Sequence, residues 1–353
     1  GCALSTPDTV GSLGDYEISS GLYLLAQYDA YQKAADLASS DQDAANVKAF
    51  LKQTITVDSD SGETATVSDY VARKTLENLQ TYAATELRFD ELGGQLTAEE
   101  EQQADSYAQQ LMDNYGDAYT ANGIGLETLK LFQQLQYKQT LLLDLVYGKD
   151  GETPVEDGEL TEHLDSTMYE IGFITVPLYN TSTFAFASDD QKAEMLSLAQ
   201  KAADSYNAAA PEDASSQLTA FNSIASSALT DICAVLDAEV PSTSTLQTDL
   251  LGESDLTDAF TQEGAADTLR GLAYGQAAAI QYTGYAMMLA VRLDPLSVST
   301  LDALRSQILS DMKGEELNDA LAAYGAQLDS TLSSSAMSKL PAAKIVNANS
   351  ANS

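Results

Sequence analysis

The amino-acid sequence predicts a mainly α protein with a smaller α+β module, the helical material at its two ends belonging to one discontinuous domain. Three observations lead there. Apolar residues recur at helical spacing through most of the chain. A Gly- and Pro-punctuated, charged stretch, 148–158, interrupts that pattern. Beyond it come a strand-like run at 169–178 and two more at 277–282 and 285–293 before the chain turns helical again. A strand, helices and a closing hairpin make a small α+β arrangement.

Each element has a local reason. Residues 14–18 read as a short strand, and Ser19 or Ser20 then caps a helix to about Leu37. A second helix is expected over 42–53. The turn Asp58-Ser-Asp-Ser-Gly62 precedes a long helix with Ala72, Leu76, Leu79, Ala83 and Leu87 on one face, ending at Gly93-Gly94. Thr97 with Glu100 forms a capping box for the next helix, to about Tyr119. Another runs from about Leu126 to Tyr147. Past the linker, a short helix (159–168) leads into the 169–178 strand, then helices at 188–209, 218–236 and 264–272, then the hairpin split by Thr283-Gly284. After Asp294-Pro295, Leu301, Leu304, Ile308 and Met312 mark one helix, and Leu317, Leu321, Tyr324, Leu328 and Leu332 another. Residues 344–346 suggest a final strand.

The chain has 353 residues, 44% of them hydrophobic, enough for two domains and a sizeable core. Its formal net charge is −36, from 53 acidic and 17 basic side chains. Such a field repels phosphate backbones and anionic headgroups, so no nucleic-acid partner is expected. It also keeps a protein soluble beside apolar clients, although a general acidic bias of exported proteins explains the charge equally well. Of the two cysteines, Cys233 shares an apolar helical stripe with Leu229, Ile232 and Leu236 and reads as a buried small hydrophobe. Cys2 follows Gly1 and precedes a loose polar stretch, the pattern of a mature bacterial lipoprotein whose thiol carries diacylglycerol; an incidental cysteine is the alternative. Lipidation at Cys2 implies an extracytoplasmic, membrane-anchored protein with the membrane touched only through that lipid.

Conventional catalytic signatures are missing from this inventory. The single histidine, His163, lies between Glu162 and Asp165 on a short acidic helix and reads as solvated. One His and one unlipidated Cys do not build a zinc site. Asp58–Gly62 resembles the first half of a calcium loop, but the twelfth residue from Asp58 is Asp69 where Glu is expected, which favours a solvated turn. Gly123-Ile-Gly125 is too short for a phosphate loop. No catalytic residue, metal or cofactor is therefore assigned. Tyrosine is frequent, with 18 residues and no Trp. Tyr16, Tyr23, Tyr28 and Tyr31 cluster in the first helical unit, where they suit helix packing or a groove that holds extended peptides.

The order of elements resembles the PrsA/SurA class of extracytoplasmic foldases, particularly the lipoprotein foldases of Gram-positive bacteria. The resemblance is carried by Tyr16-Glu-Ile-Ser-Ser-Gly-Leu-Tyr23, by Glu159-Leu-Thr-Glu162 after the linker, by the Gly284-Tyr285 strand entry within 271–294, and by Leu301–Arg305 and Lys344-Ile-Val346 at the return. It implies a tether (1–13), a helical chaperone-like domain (14–158 and 296–346), an inserted parvulin-like domain (159–295) and a polar tail (347–353). Active parvulins carry one histidine early in the first strand and another after a Gly-Tyr/Phe pair. Phe173, before Ile174, and Ala286, after Tyr285, stand at those places here. The resemblance thus implies a degenerate isomerase module, with Phe173, Ile174, Tyr285, Ala286 and Met287 as its pocket and Tyr16, Tyr23, Tyr28 and Tyr31 as client contacts. The expected activity is non-covalent binding of unfolded or exported polypeptides. A surface lipoprotein that captures a solute, glycan or envelope component, and a residual prolyl isomerase that works by an apolar pocket, are the alternatives.

Overall fold

The computed structural model describes residues 6–347; Cys2 lies outside them. The chain is mainly α-helical with small antiparallel sheets. It divides into two compact units, one made of residues up to Pro154 together with those from Lys313 on, the other of Val155–Met312.

The first unit opens with strands β1 (Thr9–Leu13) and β2 (Tyr16–Ser19), paired antiparallel. The sequence-based tether is corrected here: Val10 and Leu13 are buried, which a solvated linker does not allow. Residues 329–333 lie along the other edge of β1, through Thr331 N to Ser12 O (2.9 Å) and Ser333 N to Val10 O (2.7 Å). Gly11, at φ +121°, makes room for that approach, since a Cβ there would sit 2.3 Å from the Thr331 carbonyl oxygen. Ser19 caps α1 (Ser20–Asp36) by accepting from Leu22 N.

The expected helix over 42–53 shrinks to α2 (Val47–Phe50), followed by a hairpin of β3 (Thr54–Asp58) and β4 (Glu63–Thr66). Thr54-Ile-Thr-Val57 alternates in β-branched residues with Ile55 buried, and the Asp58 side chain accepts from Asp60 N (2.9 Å) to close the turn. The helix α3 (Val67–Glu91) forms where expected, but with its face turned: Val71, Thr75, Leu79 and Tyr82 are buried, while Leu76 is exposed. The capping box of Thr97 and Glu100 opens α4 (Ala98–Ala121), which kinks at Tyr115, and α5 (Leu126–Tyr147) follows. No helix among the described residues is long and apolar enough to cross a membrane.

In the second unit, α6 (Asp157–Thr167) enters β5 (Tyr169–Pro177), then come α7 (Asp189–Ala209) and α8 (Ala214–Ala234). The edge strand β6 (Gln247–Leu251) escapes sequence reading because of its five residues Leu250 alone is buried. Short helices α9 (Glu253–Ala259) and α10 (Ala265–Arg270) precede the hairpin of β7 (Ala277–Thr283) and β8 (Ala286–Leu293). The sheet order is β6-β5-β8-β7, antiparallel throughout. Side-chain alternation gives the sheet two apolar faces. Ile174, Val176, Met287 and Leu289 pack with α7 and α8; Ile171, Ala278 and Met288 pack with Leu256, Phe260 and Leu269.

After α11 (Pro295–Val298), the two expected helices are one, α12 (Leu301–Ala326). Gly314 is the one break between the two apolar runs, and one interior glycine costs only about 1 kcal/mol. The second unit ends at Met312 and not at Pro295, because Arg305 bonds Asp157 (2.9 Å) and Gln307 bonds the Leu250 carbonyl (2.9 Å). The chain closes with α13 (Ser334–Ser338) and a 3-10 turn over Ala342–Lys344 in place of the expected strand.

Candidate functional site

In the second unit, the segment after β5 reads Leu178-Tyr-Asn-Thr-Ser-Thr-Phe-Ala-Phe-Ala-Ser188, a Ser/Thr-rich loop that carries three aromatic residues. Asn180 organises it. Its side-chain oxygen accepts from Ser182 N (2.9 Å) and Thr183 N (3.2 Å), and its amide donates to the Leu236 carbonyl (3.2 Å). Backbone bonds from Phe184 N to Asn180 O (2.7 Å), Asn180 N to Ala185 O (2.9 Å) and Ala187 N to Leu178 O (3.0 Å) complete a pinned loop. Leu178 N also donates to Tyr285 O (2.8 Å), which joins the loop to the β7–β8 turn.

This framework holds apolar rings in water. Phe184, Phe186 and Tyr285 are 72%, 65% and 60% exposed. Phe186 lies 5.3 Å from Tyr285 and 6.1 Å from Tyr179, centroid to centroid, so these three rings form one connected surface, and Phe184 stands exposed on the same loop two residues away. Phe184 sits at φ 60°, a left-handed conformation that bulky residues rarely adopt. Single exposed hydrophobes are ordinary; a contiguous aromatic patch on a hydrogen-bonded, strained loop is the candidate interaction surface of this unit.

The sequence-selected pocket is not assembled as expected. Ile174 and Met287 are fully buried under α7 and α8, so they are core residues. Phe173 lies on the opposite face of the sheet and stands across from Ala290, whereas Ala286 stands across from Pro177. The two positions equated with parvulin histidines are therefore on neighbouring strands but four residues out of register. Tyr285 alone of the five reaches the exposed surface. Tyr179, Phe184 and Phe186 went unselected because they follow no periodicity; their one sequence signal is aromatic residues in a Ser/Thr-rich loop.

The tyrosines expected to touch clients are mostly interior. Tyr31 is fully buried, edge-on to Phe50 (5.7 Å), with its hydroxyl donated to the Ala44 carbonyl, which corrects its assignment to a binding groove. Tyr16, Tyr23 and Tyr28 are half-buried; Tyr28 packs against Tyr119 (6.1 Å) and burial raises all three hydroxyl pKa values. Asp29, beside them on α1, is pushed up to about 6 by burial.

Other ionisable groups make structural contacts. His163 is not solvated: Nε2 lies 2.6 Å from Asp311 Oδ2 and Nδ1 lies 3.1 Å from the Thr167 hydroxyl, which itself donates to the His163 carbonyl (2.8 Å). The cluster fastens α6 to α12. Tyr169 donates to Glu253 (2.7 Å), and Arg270 hydrogen bonds hold that carboxyl below its usual range. Burial, reinforced by Asp249, pushes Glu170 up to about 7. Cys233 is buried among Leu229 and Ile232, and burial raises its thiol pKa. Among the described residues no three His, Cys, Asp or Glu side chains converge as metal ligands. In the first unit, a half-open cleft of about 510 Å3 is bordered by Leu24, Gln27, Asn122, Lys339 and Lys344.

No family model matches the chain, and no curated protein sequence matches it. Among solved structures, the crystal structure of PrsA from Bacillus subtilis aligns over 82% of this chain and 93% of its own, with 14% sequence identity and a TM-score of 0.29. At that TM-score the alignment carries no structural argument.

Proposed function

We propose that this chain is a lipid-anchored, extracytoplasmic bacterial protein that holds unfolded or exported polypeptides without covalent chemistry. In this reading the helical segments at the two ends form a discontinuous chaperone-like domain, and the second unit is a parvulin-like module that has lost isomerase activity. The observation behind it is the aromatic surface of Tyr179, Phe184, Phe186 and Tyr285, which presents apolar area to water on a loop already ordered by its own hydrogen bonds. Preordered aromatic rings bind extended chains with little entropy loss on the protein side. Phe173 and Ala286, out of register and without titratable side chains, give no acid–base pair for isomerase chemistry.

The test is light scattering of an aggregating unfolded protein at near-stoichiometric ratios. Wild-type chain suppresses aggregation, and the Phe184→Ala/Phe186→Ala double variant suppresses it less at unchanged fold. Absence of suppression by the intact wild type overturns the proposal. A protease-free prolyl isomerisation assay is expected to give only the spontaneous rate. Mass spectrometry of the membrane-derived protein tests diacylglycerol on Cys2. The cleft in the first unit favours one second reading, a lipoprotein that binds a small solute, for which thermal stabilisation by one member of a nutrient library is the check.

A further inference from the structure

The segments that carry and adjoin the aromatic surface are predominantly acidic. Four segments meet there: 178–192 carries Asp189 and Asp190, 235–241 carries Asp237 and Glu239, 260–264 carries Glu263, and 282–287 carries none. The Asn180–Leu236 bond ties the second segment to the loop, and Gln262 N to Tyr282 O (3.0 Å) ties the third to the β7 end. All five carboxylates are on exposed residues, and none takes part in an ion pair among the described residues. Lys192 is the single cation on these segments, and it is half-buried.

Uncovered aromatic faces attract ammonium and guanidinium groups as well as apolar side chains. Exposed carboxylates around them add long-range attraction for cations and repel acidic segments. We propose that the occupant of this surface is an extended cationic polypeptide segment, with an apolar or aromatic side chain on Phe184, Phe186 and Tyr285 and Lys or Arg residues facing the carboxylate rim. This rests on the polypeptide-binding reading above and adds to it a charge preference. Acidic segments, however apolar, are disfavoured.

Three fluorescent peptides with one shared Leu/Phe core and flanks of Lys, Gln or Glu test it, titrated with the full chain by anisotropy. The expected order is Lys, then Gln, then Glu, with at least a tenfold spread at low salt that narrows as ionic strength rises. Because the whole chain is acidic, the rim needs its own control. Asp189→Asn/Asp190→Asn/Glu239→Gln is expected to collapse the spread, while Glu99→Gln/Glu101→Gln/Asp113→Asn, on α4, leaves it. Equal affinity for the three peptides, or a spread that both triple variants reduce alike, overturns the charge preference and leaves polypeptide binding standing. Failure of all three peptides to bind, or indifference of binding to Phe184→Ala/Phe186→Ala with thermal stability unchanged, overturns the surface itself.

Discussion

The molecule holds two groups of aromatic residues under opposite conditions. On α1, Tyr31 is sealed against Phe50 and Tyr28 packs edge-on to Tyr119. On the loop after β5, Phe184 and Phe186 stand largely in water, on a backbone held by its own hydrogen bonds, with Phe186 touching only the rings of Tyr179 and Tyr285 among the aromatic residues. The first group buries its apolar area in the core, and the second leaves it in contact with water. Aromatic abundance alone therefore says nothing about binding; what separates the two groups is whether a neighbouring element covers the ring.

The largest effect should come from breaking the buried group. Tyr31→Ala is expected to destabilise by about 3–5 kcal/mol, as for other buried aromatics, in a urea titration. The Phe184→Ala/Phe186→Ala pair in the same titration stays within about 1 kcal/mol of wild type, and a comparable loss there would mean the loop rings are structural after all.

Next in size is Asp29, which shares the buried tyrosines' surroundings. Its folded-state pKa, about 6, lies above the ordinary 3.8, so the folded state binds the proton more tightly. This contribution to stability is present below about pH 4 and is lost as pH rises through 6. Asp29→Asn should thus raise stability at pH 7.5 by up to about 3 kcal/mol and remove that part of the pH slope. A flat difference between variant and wild type across pH 4–7 would show Asp29 to be solvated.

A smaller effect, about 1–2 kcal/mol, is expected from His163→Gln, which breaks the 2.6 Å contact with Asp311. Thermal melts of the single and the His163→Gln/Asp311→Asn double variant should show non-additivity, since each removes the same contact. Smallest is Phe184→Gly. Glycine accepts φ 60° without strain, so stability should hold or rise by under about 1 kcal/mol, while aggregation suppression falls. If Phe184→Gly destabilises instead, the ring packs on something and the contrast between the two groups weakens.

Helices with strong caps were legible in the sequence: Ser19, Thr97 and Ser188 each mark a start that the structure uses. The central strands β5 and β8, and the edge strand β7 beside β8, were legible because burial on both faces makes them largely apolar runs. The face of α3 was not, since Leu76 looks like core until tertiary contacts choose Val71 and Thr75 instead. Edge strand β6 was hidden by its polar composition, and the β3–β4 hairpin by the shortness of its two strands. The candidate site was legible only at Tyr285. Exposure is decided by what fails to cover a ring, and a sequence lists rings without listing their cover.

The strand at Thr9–Leu13 has a consequence in time. One of its edges is filled by the next residues to be made, β2, but the other waits for 329–333. The second unit is one contiguous stretch, 155–312, made before residue 329. A chain emerging amino end first therefore has the whole second unit outside before that edge is filled. The strand at Thr9–Leu13 would wait with an open β edge until residues 329–333 emerged. A truncation before residue 329 would leave that edge permanently free to pair with another chain.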